Sequence, residues 1–149
     1  MSTPDYKALL AQTTELSRRA GDAIMEIYRT DFEVEHKDDD SPLTQADRAS
    51  HNIIVDGLAK LTPDWPILSE ESLETDEFDV RSQWQRYWLV DPLDGTREFV
   101  KRGDDFTVNI ALIENHEVRL GIVYVPVTEV TYYAAKGIGA FKVSFQEGN

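Results

Sequence analysis

Asp91 and Asp94 stand three residues apart at the end of an apolar run, in Tyr87-Trp88-Leu89-Val90-Asp91-Pro92-Leu93-Asp94-Gly95-Thr96. Two carboxylates at that spacing on a strand-to-turn corner can face one hard cation, with the Leu93 carbonyl between them as a third oxygen. Magnesium favours oxygen donors, few carboxylates and a substrate phosphate completing its shell. Gly95 allows close backbone approach, and the Gly95 and Thr96 N–H groups, at a helix start, can hold a phosphate beside that cation. A cation next to a phosphate cradle implies phosphoryl chemistry. The same residues also compose an ordinary turn, with Asp94 as an N-cap and Gly95 at a tight bend, and on their own they leave both readings open.

A second strand ends in acid at Leu68-Ser69-Glu70-Glu71. Adjacent glutamates are common at exposed helix starts, where they favour the dipole. Two neighbouring strands ending in carboxylates would instead converge on one metal cluster. Thr44 and Asp47 have the shape of a capping box, which accounts for Asp47 structurally. Asp38, Asp39 and Asp40 lack the glycine and closing glutamate of a calcium loop and read as a solvated loop, as does the acidic stretch from Glu74 to Asp79. His51 lies off the apolar stripe of its helix and His116 in a turn, so both read as surface residues, and no catalytic histidine stands out. Gly137-Ile138-Gly139 is a turn rather than a nucleotide loop.

These residues need elements to position them. Thr3-Pro4 is a good helix start. Tyr6, Leu9, Leu10, Leu16, Ala20, Ala23, Ile24 and Ile27 recur at helical spacing, which predicts a long amphipathic helix to about Arg29. Gly21 inside it implies close packing against a neighbour, since glycine there costs about 1 kcal/mol against alanine. Phe32 to Lys37 alternates as a half-buried strand. Ala46, Ala49, Ile53, Ile54, Leu58 and Leu61 predict a second helix, ended by Thr62-Pro63. Short strands follow at Trp65–Leu68 and at Tyr87–Val90, the latter ended by Pro92. A short helix opens at Thr96. From Phe106 the pattern is all strand: Phe106 to Ile113, Val118 to Val125, Glu129 to Ala135, and Ala140-Phe141, an antiparallel meander. The expected class is α+β, two long helices packed on a largely antiparallel sheet.

Composition narrows the function. The chain has 149 residues, one domain's worth, with 41% hydrophobic and 29% charged residues. Its net charge of −13 and lack of a basic patch argue against nucleic-acid binding. The same charge would repel a small phosphorylated substrate, so a phosphatase of this composition needs bound cations to reverse the field locally. No apolar run approaches a membrane span, the first residues have no signal-peptide character, and no cysteine is present, which leaves the cytoplasm as the default expectation.

Asp91-Pro92-Leu93-Asp94-Gly95-Thr96 resembles the signature of the inositol monophosphatase superfamily, magnesium-dependent and lithium-sensitive phosphomonoesterases of layered α/β/α sugar-phosphatase-like fold. Arg97-Glu98-Phe99, the Ser69-Glu70-Glu71 triplet and Asp105 to Ile113 resemble its 3'(2'),5'-bisphosphate nucleotidase branch, and the likeness runs from the first helix to about Phe141. The resemblance implies two or three magnesium ions. Glu70, Asp91 and the Leu93 carbonyl would hold one, Asp91 would bridge to a second also bound by Asp94, and Glu71 with Asp47 would serve a weaker third. Glu70 with Thr96 would orient the attacking water, Gly95 and Thr96 would bind the phosphate, and Lys37 falls where such enzymes carry a basic residue. The implied substrate is 3'-phosphoadenosine 5'-phosphate, a by-product of sulfate activation, with inositol phosphate as the alternative. The family's second half, with a further aspartate ligand, is not matched by anything after Phe141. A phosphatase or a non-catalytic metal-binding fragment, self-associating through the face that half would cover, are both expected readings.

Overall fold

An apolar stripe at helical spacing, opened by a carboxylate, makes the first helix. In the computed structural model, which describes residues 5–30, 41–69 and 84–144, α1 (Tyr6–Tyr28) starts at Asp5, whose side chain accepts from the Ala8 N–H at 3.2 Å. The cap is thus Asp5 and not Thr3, because a carboxylate there satisfies an orphan donor and favours the helix dipole as well. Leu9, Leu10, Leu16, Ala20, Ile24 and Met25 are buried along one side.

The second helix, α2 (Pro42–Leu61), is capped by Ser41, which accepts from the Thr44 N–H at 3.1 Å. Pro42 fills the first helical position, where its missing N–H costs nothing. This corrects the expected capping box: Thr44 donates to the cap, and Asp47 lies nearly a turn further along, so capping does not account for it. Ala46, Ile54 and Leu58 are fully buried.

Among the described residues six strands form one sheet in chain order: β1 (Ile67–Ser69), β2 (Arg86–Asp94), β3 (Thr107–Glu114), β4 (Glu117–Val125), β5 (Val130–Ala135) and β6 (Gly139–Ser144). β1 runs parallel to β2, and every other neighbour is antiparallel, as the meander required. The β3–β4 corner turns through Asn115 and His116 at φ of 51° and 66°, the left-handed pair that suits a tight hairpin, with His116 exposed. The expected strand from Phe32 to Lys37, the aspartate loop after it and the acidic stretch from Glu74 to Asp79 lie outside the described residues.

Both long helices cover one face of the sheet. Strand alternation sends Trp88 and Val90 of β2, Val108, Ile110 and Leu112 of β3, and Leu120, Ile122 and Tyr124 of β4 against them. Trp88 is fully buried, and its indole N–H donates to the Thr62 hydroxyl at 2.8 Å, which ties β2 to the end of α2. The other face has no helix over it among the described residues. Two rows in register cross it: Leu89, Ala111, Gly121, Ala134 and Ala140, then Asp91, Asn109, Val123, Tyr132 and Lys142. Leu89, Val123 and Tyr132 are exposed there.

Gly21 justifies its place in a helix interior. A Cβ at Gly21 would lie 2.3 Å from the Tyr124 ring, so the helix touches β4 through its backbone. Burial against that helix pushes the Tyr124 hydroxyl up to about 12, reinforced by Asp22 and Glu129 and partly offset by Arg18. Two outcomes are expected. Gly21→Ala should destabilise by about 1–3 kcal/mol through overpacking, despite its better helix propensity, measured by urea denaturation. Because the Tyr124 pKa is raised in the folded state, its contribution to stability is complete below pH 10 and is lost as pH climbs toward 12. A parent chain whose melting temperature fell no faster over that range than that of Tyr124→Phe would contradict this.

Candidate active site

Asp91 pairs with Asn109 and Asp94 with Thr107, so three steps along β2 match two along β3. Expected to stop at Pro92, the strand instead continues through a bulge to Asp94. A bulge frees residues from the ladder, and proline, having no N–H to place, is tolerated there. Pro92 and Leu93 are buried by it, Asp91 is half-buried on the helix-free face, and Asp94 is exposed. Asp94 accepts a hydrogen bond from the Asn109 side-chain amide at 3.1 Å. The turn reading of this segment thus gives way to a strand whose end presents two carboxylates.

The bulge is fastened from below. Ser50 of α2, fully buried, donates through its hydroxyl to the Pro92 carbonyl at 2.8 Å. One residue on, His51 Nδ1 and the Ser69 hydroxyl share a hydrogen bond at 2.9 Å, with Ser69 itself fully buried at the end of β1. His51 is therefore no plain surface residue: it is off the apolar stripe because its side of α2 meets a strand end. Ser69 lies in register with Val90, so the end of β1 sits beside the residue that leads into the bulge of β2.

Glu70 and Glu71, the next two residues, lie outside the described residues. Asp47 is half-buried in α2. Among the described residues no three His, Cys, Asp or Glu side chains converge into a metal-holding group. What the structure brings together is Asp91, Leu93 and Asp94 on one bulge, beside Gly95 and Thr96. That donor set is all oxygen, with two carboxylates and a backbone carbonyl, and in kind it fits a hard divalent cation that keeps positions for water or phosphate.

Gly95 then turns the chain from β2 into α3 (Thr96–Val100), the short helix expected at Thr96. It sits at φ 92°, a left-handed conformation, and offers no side chain to cap the helix. A Cβ on Gly95 would also come within 3.1 Å of the Phe106 backbone. Phe99 of α3 is fully buried and packs edge-on against Phe106, with ring centroids 5.4 Å apart, which anchors the helix to the start of β3. Thr96 is exposed at its first position.

Sequence reasoning missed Ser50, His51 and Asn109 as site-building residues. Only Asn109 carried a signal, a polar side chain in the alternation of β3 on the row that holds Asp91. Gly95→Ala should destabilise by about 1–3 kcal/mol, since strained φ and backbone crowding add, and a denaturation midpoint equal to that of the parent would refute the crowding.

The model of the inositol monophosphatase family matches residues 5–147. The 3'(2'),5'-bisphosphate nucleotidase CysQ of Salmonella typhimurium is 56% identical over 131 residues, which is 87% of this chain and 52% of that protein. The protein of the same name from Haemophilus influenzae is 37% identical over 134 residues, 90% of this chain and 49% of that one. Among solved structures, CysQ from Bacteroides thetaiotaomicron superposes with a TM-score of 0.84 at 41% identity, covering 94% of this chain and 50% of that one. The extragenic suppressor protein suhB of Bartonella henselae superposes with a TM-score of 0.74 at 30% identity, covering 91% and 52%. The chain spans about half the length of the relatives it matches.

Proposed function

Because the chain belongs to the inositol monophosphatase family, we propose that residues 1–149 are the N-terminal metal-binding part of a magnesium-dependent phosphomonoesterase. Its substrate would be 3'-phosphoadenosine 5'-phosphate, converted to AMP and phosphate in sulfur metabolism, in the cytoplasm. The observation that carries the reading is the β2 bulge, which presents Asp91 and Asp94 beside the uncapped helix start at Gly95 and Thr96. The nucleotide is preferred over inositol phosphate because the relatives named above as bisphosphate nucleotidases reach 56% identity, and because Arg97-Glu98-Phe99 resembles their branch.

Asp91, the Leu93 carbonyl and Asp94, joined by Glu70, would hold magnesium, with Glu71 and Asp47 serving a further ion. Magnesium supplies Lewis-acid polarisation of the phosphoryl group and neutralises its charge. The Gly95 and Thr96 N–H groups donate to phosphate oxygens and fix the phosphorus against the bulge. Glu70 and the Thr96 hydroxyl would orient a water for in-line attack: the water oxygen bonds to phosphorus as the bond to the ribose oxygen breaks, the water's proton passes to Glu70, and the departing ribose oxygen takes a proton from solvent. The Asn109 amide holds the Asp94 carboxylate in place. No helix among the described residues is long and apolar enough to cross a membrane. Self-association would use the helix-free face, and the exposure of Leu89, Val123 and Tyr132 there supports that reading.

The test is phosphate release from 3'-phosphoadenosine 5'-phosphate and from inositol 1-phosphate, with and without magnesium. Magnesium-dependent release from the nucleotide alone is the expected result, and release from inositol phosphate alone would move the chain to the other branch. Silence on both, with magnesium still bound, would make the chain a non-catalytic metal-binding fragment. Asp94→Asn should bring turnover to background and weaken magnesium binding; Glu70→Gln should cut turnover while leaving the melting temperature unchanged.

A further inference from the structure

We propose that Ser50 and His51, consecutive residues of α2, are positioning residues that hold the Asp91–Asp94 bulge of β2 in register with the end of β1. The inference rests on the metal reading above and adds to it the device that fixes the spacing of the ligands.

The geometry starts from the helix. Successive residues of an α-helix point about 100° apart, so two neighbours can address two different strands. Ser50 addresses β2, donating to the Pro92 carbonyl at 2.8 Å. His51 addresses β1, bonded to the Ser69 hydroxyl at 2.9 Å. The Pro92 carbonyl belongs to the peptide that leads into Leu93, whose own carbonyl is a candidate ligand, and it lies between Asp91 and Asp94. Ser69 ends β1. The Ser50 tether therefore acts one peptide away from a candidate ligand, the His51 tether fastens the neighbouring strand end, and both originate on one rigid element.

Both strand ends need such a tether. The bulge takes Pro92 out of the pairing of β2 with β3, so the ladder does not hold this point of the chain. β1 has three residues and pairs only with β2 among the described strands, so few backbone bonds fix its end. Ser50 and Ser69 are both fully buried, where a hydroxyl bond is directional and unscreened by water. Asp47 precedes His51 by one helical turn and so lies on the same side of α2, which places a further candidate ligand on the bar that holds the bulge. Groups that orient metal ligands from behind typically change affinity by about 10–100-fold when removed.

The experiment is calorimetric titration of the 149-residue chain with magnesium chloride, comparing the parent with Ser50→Ala, His51→Leu, His51→Asn and Asp94→Asn. Each variant is also melted. Ser50→Ala and His51→Leu are expected to bind magnesium about 10-fold more weakly. His51→Asn, whose side-chain amide can still reach Ser69, should recover the parent affinity even where its melting temperature matches that of His51→Leu. Parent-like affinity in both Ser50→Ala and His51→Leu would overturn the inference and leave the metal reading standing. So would a loss that follows the melting temperature across the set and is not restored by asparagine. A parent chain that takes up no magnesium would overturn the metal reading, and this inference with it.

Discussion

The bulge between Asp91 and Asp94 is the constraint on which the site depends, because a regular strand cannot present these residues together. In a strict ladder, side chains alternate faces, and residues three apart point to opposite sides of the sheet. The extra residue in β2 breaks that alternation at the point where two carboxylates occur. It buries Pro92 and Leu93, leaves Asp94 exposed, and frees backbone oxygens from pairing. Gly95 then has to turn at once, in a conformation other residues resist, so that α3 begins beside the carboxylates.

Such a distortion persists only if its surroundings over-determine it. The core does so from the helical side: Trp88 and Val90 lead into the bulge fully buried, Trp88 is bonded to Thr62, and Ser50 holds the Pro92 carbonyl. From the other end, Phe99 packs on Phe106 and seats α3 against β3, while Asn109 bonds Asp94 across the strands. The site is thus an end of the hydrophobic core as much as a pair of carboxylates. Removing core volume near β2 would be felt at the carboxylates, since closely packed interiors transmit shifts.

Charge and shape point the same way. A chain of net charge −13 repels anions unless a cation intervenes, and the carboxylates at the bulge are where a cation would change the sign of the local field. The sheet is finished differently on its two faces. One is sealed by α1 and α2, with Gly21 letting the first helix approach Tyr124. The other carries a row of small side chains beside exposed Leu89, Val123 and Tyr132, a surface suited to packing against another apolar element.

The sequence by itself determined what depends on near neighbours. Apolar spacing defined both long helices, alternation defined the four strands of the meander, Gly21 announced a close approach, and Asp-Pro-x-Asp-Gly-Thr marked the lineage. Those signals are legible because periodicity and turn residues act over a few positions. The caps were less so: Asp5 and Ser41 won over Thr3 and Thr44 because several polar residues compete within one turn. Only the tertiary structure decided the rest. Pro92 reads as a strand end until Asn109 and Thr107 of β3 pair on either side of it. Ser50 finds its acceptor 42 residues away, His51 its partner 18 away, and Asn109 its carboxylate 15 away. Nothing local distinguishes a serine or histidine that faces solvent from one that faces a strand end, since that difference arises only when the helix is laid on the sheet.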